Sequence, residues 1–234
     1  MSECLAFEMA LDASNGPVQI MVDAEGHPND LRAAGVANAY TAFDNAASTG
    51  MGGTNKTPNR GGVLKVLKGS ELLAGACSFT LQGWFKADSG ETPGNFARLF
   101  TSARVSSYFD SKDGKGLVIA VNGDNVLCRD PAFQVSGEWV FFAVTYDGDQ
   151  EEQNVNFYAG LENQPVALMS NASMSSGCVS NEQALQPIYI GNLSKRDRPF
   201  DGLIDHVRLW VTQEGSSAVL TLSELEEVRR SDLK

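Results

Sequence analysis

From Trp139 the chain reads Trp-Val-Phe-Phe-Ala-Val-Thr-Tyr-Asp-Gly, and from Phe200 it reads Phe-Asp-Gly-Leu-Ile-Asp-His-Val-Arg-Leu-Trp. This is strand text: side chains alternate between two faces with a period of two, and a glycine punctuates each run. In Ser78–Lys86 the alternation sets Phe79, Leu81, Gly83 and Phe85 on one face and Trp84 on the other. Further strands are expected at Leu5–Leu11, from Gly61, at Ala97–Ser102 and at Gly116–Val121. The last of these ends in Asn122-Gly123, a strong hairpin signal, and leads into a strand from Asn125; Asp147-Gly148 is read as a second turn of that kind. Val155–Ala159, Pro187–Gly191 and Gly202–Val211 complete the set.

About ten short strands without interleaved helices specify an all-β chain, a two-sheet antiparallel β-sandwich. One short C-terminal helix is expected. Thr221-Leu-Ser-Glu224 is a capping box, and Leu222, Leu225 and Val228 give an apolar stripe, expected to pack on the sandwich edge. All-β sandwiches often run long as one unit, so residues 1–234 are read as a single domain. Residues 12–59 are read as a long irregular region, and such loops are usually functional or organised around an ion.

A formal net charge of -11 argues against nucleic acid, which needs clustered Lys and Arg. It suits cation or neutral-sugar binding, and for an acidic protein it also serves solubility alone. No stretch approaches the roughly 20 apolar residues of a membrane span. No signal-peptide pattern stands at Met1-Ser-Glu-Cys, so any export signal is expected outside this stretch. Cys4, Cys77, Cys128 and Cys178 form no CxxC pair; they are open either to two disulfides, in three connectivities, or to burial as small hydrophobes.

The strand texts occur in an order that resembles laminin-G-like, concanavalin A-type jelly rolls. The matching pieces are Phe79-Thr80 to Trp84, then Gly137-Glu-Trp139 through Ala143 and Thr145-Tyr-Asp-Gly148, then Ile190-Gly-Asn192. Phe200, Gly202, Ile204-Asp205 and Val207-Arg208 follow, and Leu222-Ser-Glu-Leu-Glu226 opens the closing helix. The likeness is close from about residue 61 and loose before it. It implies an extracellular or cell-surface protein and the jelly-roll fold, while leaving the ligand open, since such folds serve lectins, adhesion domains and enzymes alike.

The resemblance also implies a structural calcium between the early Asp23–Asp30 turn and the Asp of the Ile-Asp-x-Val-Arg text. Calcium takes six to eight oxygens from carboxylates, amides and backbone carbonyls. Asp23, Asn29, Asp30 and Asp205, with Glu8, could supply them, although His27-Pro28 replaces a glycine step of the family turn. The competing reading has Asp205 pair with Arg208 or cap a backbone amide.

Sugar binding needs exposed rings and polar groups. Trp84, Trp139 and Trp210 occupy strand positions where the fold wants core. Tyr108 and Phe109, read as part of the loop Ser106–Gly114, are the expected exposed rings, with Tyr40 in the early loop; Arg98 and Arg104 are expected to flank the pair and to suit acidic sugars. Catalysis is disfavoured: the ExDxxE strand of one glucanase family is absent, and His27 and His206 are read as surface or satisfied residues. The expectation is therefore a non-catalytic, lectin-like module that binds a glycan or polysaccharide and sits beside other domains of a parent protein. A protein–protein adhesion or architectural domain is the alternative, and a polysaccharide-acting enzyme a more distant one.

Overall fold

The computed structural model describes residues 69–87, 96–110, 115–195, 198, 200 and 202–233 in full. It describes the backbones of β1 (Leu5–Met9), β2 (Val18–Ile20), β3 (Ala47–Ser48) and β4 (Leu64–Val66). The fully described strands are β5 (Ser78–Ala87), β6 (Arg98–Thr101), β7 (Val105–Phe109), β8 (Leu117–Val121), β9 (Asp124–Cys128) and β10 (Val140–Asp147). They continue with β11 (Val155–Leu161), β12 (Gln164–Ala172), β13 (Ile188–Ile190) and β14 (Gly202–Thr212), and α1 (Leu222–Asp232) closes the chain.

Two antiparallel seven-stranded sheets stack as the sandwich the alternation implies. The first runs β1-β14-β5-β10-β11-β12, with β3 also on β14; the second runs β2-β4-β13-β6-β7-β8-β9. Between them lies an apolar core in which Phe79, Leu81, Phe85, Val140, Phe142, Val144 and Phe157 of the first sheet meet Leu99, Phe100, Val105, Phe109, Leu117 and Ile119 of the second. Phe85 meets Phe109 edge to face at 5.3 Å and 81°, the geometry aromatic quadrupoles favour.

Four strands are not legible in the sequence: β2 and β3 lie within residues 12–59, read as irregular, and β7 and β12 escape it elsewhere. β7 lies where a loop was expected, because Ser106 and Ser107 mask its alternation; Ser107 nonetheless turns inward and is fully buried. β12 reads Gln-Pro-Val-Ala-Leu-Met-Ser-Asn-Ala, and its Pro165 is tolerated because β12 ends the strand order and needs no ladder bond on its free side. The hairpin at Asn122-Gly123 forms as expected: Val121 pairs with Asp124, and both turn residues have positive φ, 53° and 93°. The connection after Asp147 is not such a turn. It runs from Gly148 to Asn154, and Gly148 is required for closeness: a Cβ there would lie 2.4 Å from the Gly177 carbonyl oxygen.

That closeness belongs to a disulfide-locked end of the sandwich. Cys77 is bonded to Cys178 across a sequence separation of 101. Around the bridge, Gly148 N–H donates to the Cys77 carbonyl (2.7 Å), Gly177 N–H to Gly148 (2.8 Å), and Val179 N–H to Ala76 (2.8 Å). The Tyr146 hydroxyl donates to the Gly177 carbonyl at 2.7 Å. Cys128 is a free, buried thiol whose pKa burial pushes up, and Cys4 lies outside the described residues.

The helix forms with its capping box: Thr221 Oγ1 accepts from Glu224 N–H, and the Glu224 carboxylate accepts from Thr221 N–H at 2.8 Å. It does not sit on the sandwich edge alone. Leu225 and Val228 cover a second core on the outer face of the first sheet, made of Trp84, Trp139, Phe141, Tyr158, Val166 and Trp210. The reason is area: a sheet face carrying that many large rings must be covered, and the helix is the element that covers it. At the β11–β12 hairpin, Arg229 donates to the Leu161 carbonyl (2.7 Å) and Glu226 accepts from Val166 N–H (2.9 Å). The Arg229 side chain, followed by the Val166 amide and Arg230, holds the Glu226 carboxyl at a pKa of about 2.

Candidate functional site

The three tryptophans are core residues, as the alternation implied, with exposures of 0%, 2% and 3% for Trp84, Trp139 and Trp210. They belong to the second core under α1, so the first sheet offers no tryptophan face to a ligand. Among the described residues, no helix covers the outer face of the second sheet.

On that face β7 decides which rings are available. Val105, Ser107 and Phe109 point into the sandwich, while Ser106 and Tyr108 point out. Tyr108 and Phe109 therefore cannot both meet a ligand. Phe109 is fully buried against Phe85 and Phe200, which corrects its expected role: neighbouring residues of a strand take opposite faces. Tyr108 is half-buried, and the register pairs it with Arg98 on β6. That pairing lays the Arg98 guanidinium over the Tyr108 ring at 4.0 Å, a cation–π arrangement.

Two residues that the sequence does not assign to a site complete the cluster. Phe96 is half-buried, and its ring stacks beside Tyr108 at 6.3 Å and 28°. Arg198 places its guanidinium over Phe96 at 4.5 Å. The backbone fixes this second pair: Arg98 N–H donates to the Arg198 carbonyl (3.2 Å), and Arg198 N–H to the Oδ1 of fully buried Asn192 (2.9 Å). The basic run at 195–198 reads as a solvated loop in sequence. The place of Arg198 depends on its bonds to Asn192 and Arg98, which no local pattern announces. Tyr189, opposite Thr101 on β13, stands on the same face about 10 Å along the strands. Burial pushes its hydroxyl pKa up.

Arg104 does not flank this cluster. It lies in the β6–β7 turn, at the other end of β7 from Tyr108, where its carbonyl accepts from Asn122 N–H and its guanidinium pairs with Glu182. Four residues of extended chain separate it from Tyr108, roughly 13 Å, so it cannot share a small ligand subsite with that ring. Tyr40 lies outside the described residues, as do Asp23, Asn29 and Asp30. The Glu8 backbone pairs with Arg208 on β14, and its side chain also lies outside them.

Asp205 is described, and its surroundings explain why a carboxylate occupies an apolar strand. Asp205 pairs with Trp84 and Arg208 with Gln82, so three steps on β14 match two on β5 and one residue is extra. The extra residue is His206, at φ 47°. This bulge lets Val207 return to the core and leaves Asp205 and Arg208 on the outer face. Asp205 has no solvent exposure; its Oδ1 accepts from His206 N–H at 2.7 Å, and its Oδ2 lies 3.2 Å from His206 Nδ1. Burial works to lower the His206 pKa, but the Asp205 hydrogen bond and the charges of Asp205 and Asp232 outweigh it, and the net shift is upward. The backbone cap expected as the competing role for Asp205 is therefore present. Arg208 instead pairs with Asp232 at 2.7 and 3.0 Å, and the Trp84 indole donates to the same carboxylate at 2.8 Å.

A cleft of about 520 Å³ opens between residues 130–135 and the β11–β12 hairpin. It is lined by Pro131, Ala132, Val135, Leu161 and Met169, and none of its described lining residues is aromatic. Asp130 at its rim caps Ala132 N–H at 2.9 Å. Rings and polar groups therefore converge on the second-sheet face rather than in this cleft.

In overall structure the chain is similar to domain 4 of AbnA, a GH43 extracellular arabinanase from Geobacillus stearothermophilus, solved in complex with arabinotriose. The TM-score is 0.57 at 16% identity, over 96% of this chain and 98% of that one. It is also similar to a SAP-like pentraxin from Limulus polyphemus, with a TM-score of 0.47 at 16% identity over 78% and 80%. A third likeness is to a Bacteroides ovatus protein described as carbohydrate binding, with a TM-score of 0.48 at 19% identity over 64% of this chain; the chain spans 40% of that protein's length. At these identities the likeness is one of fold. No curated protein matches the chain in sequence. The model of one family matches residues 61–214, which include β4 to β14, and by that match the chain belongs to the concanavalin A-like lectin/glucanases superfamily, of the laminin-G type.

Proposed function

We propose that this chain is a non-catalytic carbohydrate-binding module that takes a glycan on the outer face of its second sheet. The observation that carries the reading is the paired cluster of Tyr108 under Arg98 and Phe96 under Arg198, on a sheet face that no helix among the described residues covers. Aromatic surface meets the C–H face of a sugar, and guanidinium N–H groups donate to hydroxyls or carboxylates. The arabinotriose complex of the similar AbnA domain supports the reading. An extracellular or cell-surface setting, beside other domains of a parent protein, agrees with the Cys77–Cys178 disulfide, since such bonds persist in oxidising compartments. No described helix is long and apolar enough to cross a membrane.

The adhesion alternative calls for a broad apolar patch. The exposed large apolar side chains among the described residues are Leu168 on β12, Leu185 in the connection to β13 and Leu222 on α1, and this scatter favours the glycan. The test is an oligosaccharide array that includes arabinotriose. The intact protein is expected to bind at least one member, and Tyr108→Ala to weaken that binding about tenfold or more with an unchanged melting temperature. An array without binding would sink the reading.

The proposal includes a structural calcium held by Asp205 with Glu8, Asp23, Asn29 and Asp30. The donor chemistry suits the ion, and Asp205 is a fully buried carboxylate on the strand next to the one that bears Glu8. An ion present at a hundred times its Kd stabilises by about 2.7 kcal/mol, so EDTA is expected to lower the melting temperature by about 5–10 °C. A melting temperature indifferent to EDTA overturns the calcium and leaves the glycan reading standing.

A further inference from the structure

Phe96 has φ of +61°, the left-handed region that bulky residues avoid. It is held there from both sides. Its N–H donates to the carbonyls of Phe109 (3.1 Å) and Asp110 (3.4 Å), and two residues on, Arg98 is fixed to β7 opposite Tyr108. Glycine would sit in this conformation without strain, and asparagine with less. A phenylalanine here is therefore a local conflict that the rest of the fold over-determines. The ring does not repay that conflict in the main core: Phe96 belongs to neither buried apolar cluster. It remains half-buried on the outer face, beside Tyr108 and under Arg198. Strain kept by a ring that lies outside both apolar cores of the described residues is a mark of a functional position.

We propose that Phe96 is a ligand-contacting residue whose strained backbone presents its ring as the outer half of the sugar platform, next to Tyr108. The inference rests on the glycan reading above and deepens it. The two near-parallel rings stand 6.3 Å apart between centroids, so each can carry its own sugar unit, and the ligand class is an oligosaccharide of at least two residues rather than a free monosaccharide. One unit lies against Tyr108 and the next against Phe96, and Arg98 and Arg198 border the two contacts.

The experiment uses the intact protein, the same oligosaccharide array and a thermal melt for three variants. Phe96→Gly removes both ring and strain; it is expected to melt at the same temperature or higher while binding falls roughly tenfold. Phe96→Trp keeps a ring and is expected to keep binding. Tyr108→Ala is the control for the platform as a whole. Phe96→Gly with undiminished binding overturns the role of Phe96 while the glycan reading stands, provided that Tyr108→Ala still weakens binding. A clear loss of melting temperature in Phe96→Gly makes the ring a structural residue and overturns the inference as well. A wild-type protein that binds nothing on the array removes both readings together. Monosaccharides binding as well as their oligomers overturn the two-unit platform.

Discussion

Replacing Cys77 and Cys178 together by serine is expected to destabilise the protein by about 4–5 kcal/mol, the largest effect of any change proposed for this chain. The bridge closes a loop with a sequence separation of 101, and the chain-entropy estimate for a loop of about 100 residues is about 4.7 kcal/mol. The folded state keeps its shape in this variant. The segment around Cys178 is also held by Gly177 N–H to Gly148, Val179 N–H to Ala76, Gly75 N–H to Val179 and the Tyr146 hydroxyl to Gly177. The change therefore acts on the unfolded chain, which becomes freer and more extended. Urea denaturation should show a lower midpoint together with a steeper slope, since the slope follows the surface exposed on unfolding. In a domain of this size the melting temperature is expected to drop by about 8–20 °C. A loss below about 1 kcal/mol would show that the bridge contributes little and that the backbone bonds alone hold this end.

Asp232→Ala is expected to cost about 3–5 kcal/mol. Asp232 is 7% exposed, and its carboxylate takes two bonds from Arg208 and one from the indole of fully buried Trp84. Truncation removes the Asp232 carboxylate from beside Arg208, itself 9% exposed, in a place where water solvates the guanidinium poorly. It also unties the last turn of α1 from the sheet and loosens the cover over Trp84, Phe141 and Trp210. Asp232→Asn retains an acceptor without the charge and should lose about half as much. Adding Arg208→Met to Asp232→Ala should recover part of the loss, because an apolar side chain suits that face better than a guanidinium that has lost the Asp232 carboxylate. Chemical denaturation of the set measures all three. An Asp232→Ala loss under about 1 kcal/mol would mean that the triad is incidental to the docking of the helix.

The sandwich was legible because its strands are long and strongly patterned. β5 and β10 alternate without a break, and the Asn122-Gly123 turn takes the positive φ values its residues favour. The helix was legible from Thr221 and Glu224, a purely local signal. The candidate site was half legible. Arg98 and Tyr108 were named from sequence, yet Phe109 was placed beside them, because the serines of β7 hid the strand that sends neighbours to opposite faces. Arg104 was drawn to the same place by nearness in sequence. Extended chain puts it at the far end of the strand, paired with Glu182.

The two-sheet architecture, the inward set of large side chains and the capped closing helix can be read from the chain alone, since each follows from periodicity or from contacts within a few residues. The tertiary structure decided the rest. It chose Cys77 and Cys178 as partners, moved the helix from the edge onto a second core, and inserted His206 as a bulge that returns Val207 to the interior. It also brought Phe96 and Arg198 to Tyr108 and Arg98. These outcomes depend on strand register and on chain segments far apart in sequence, and a one-residue shift in register exchanges every face.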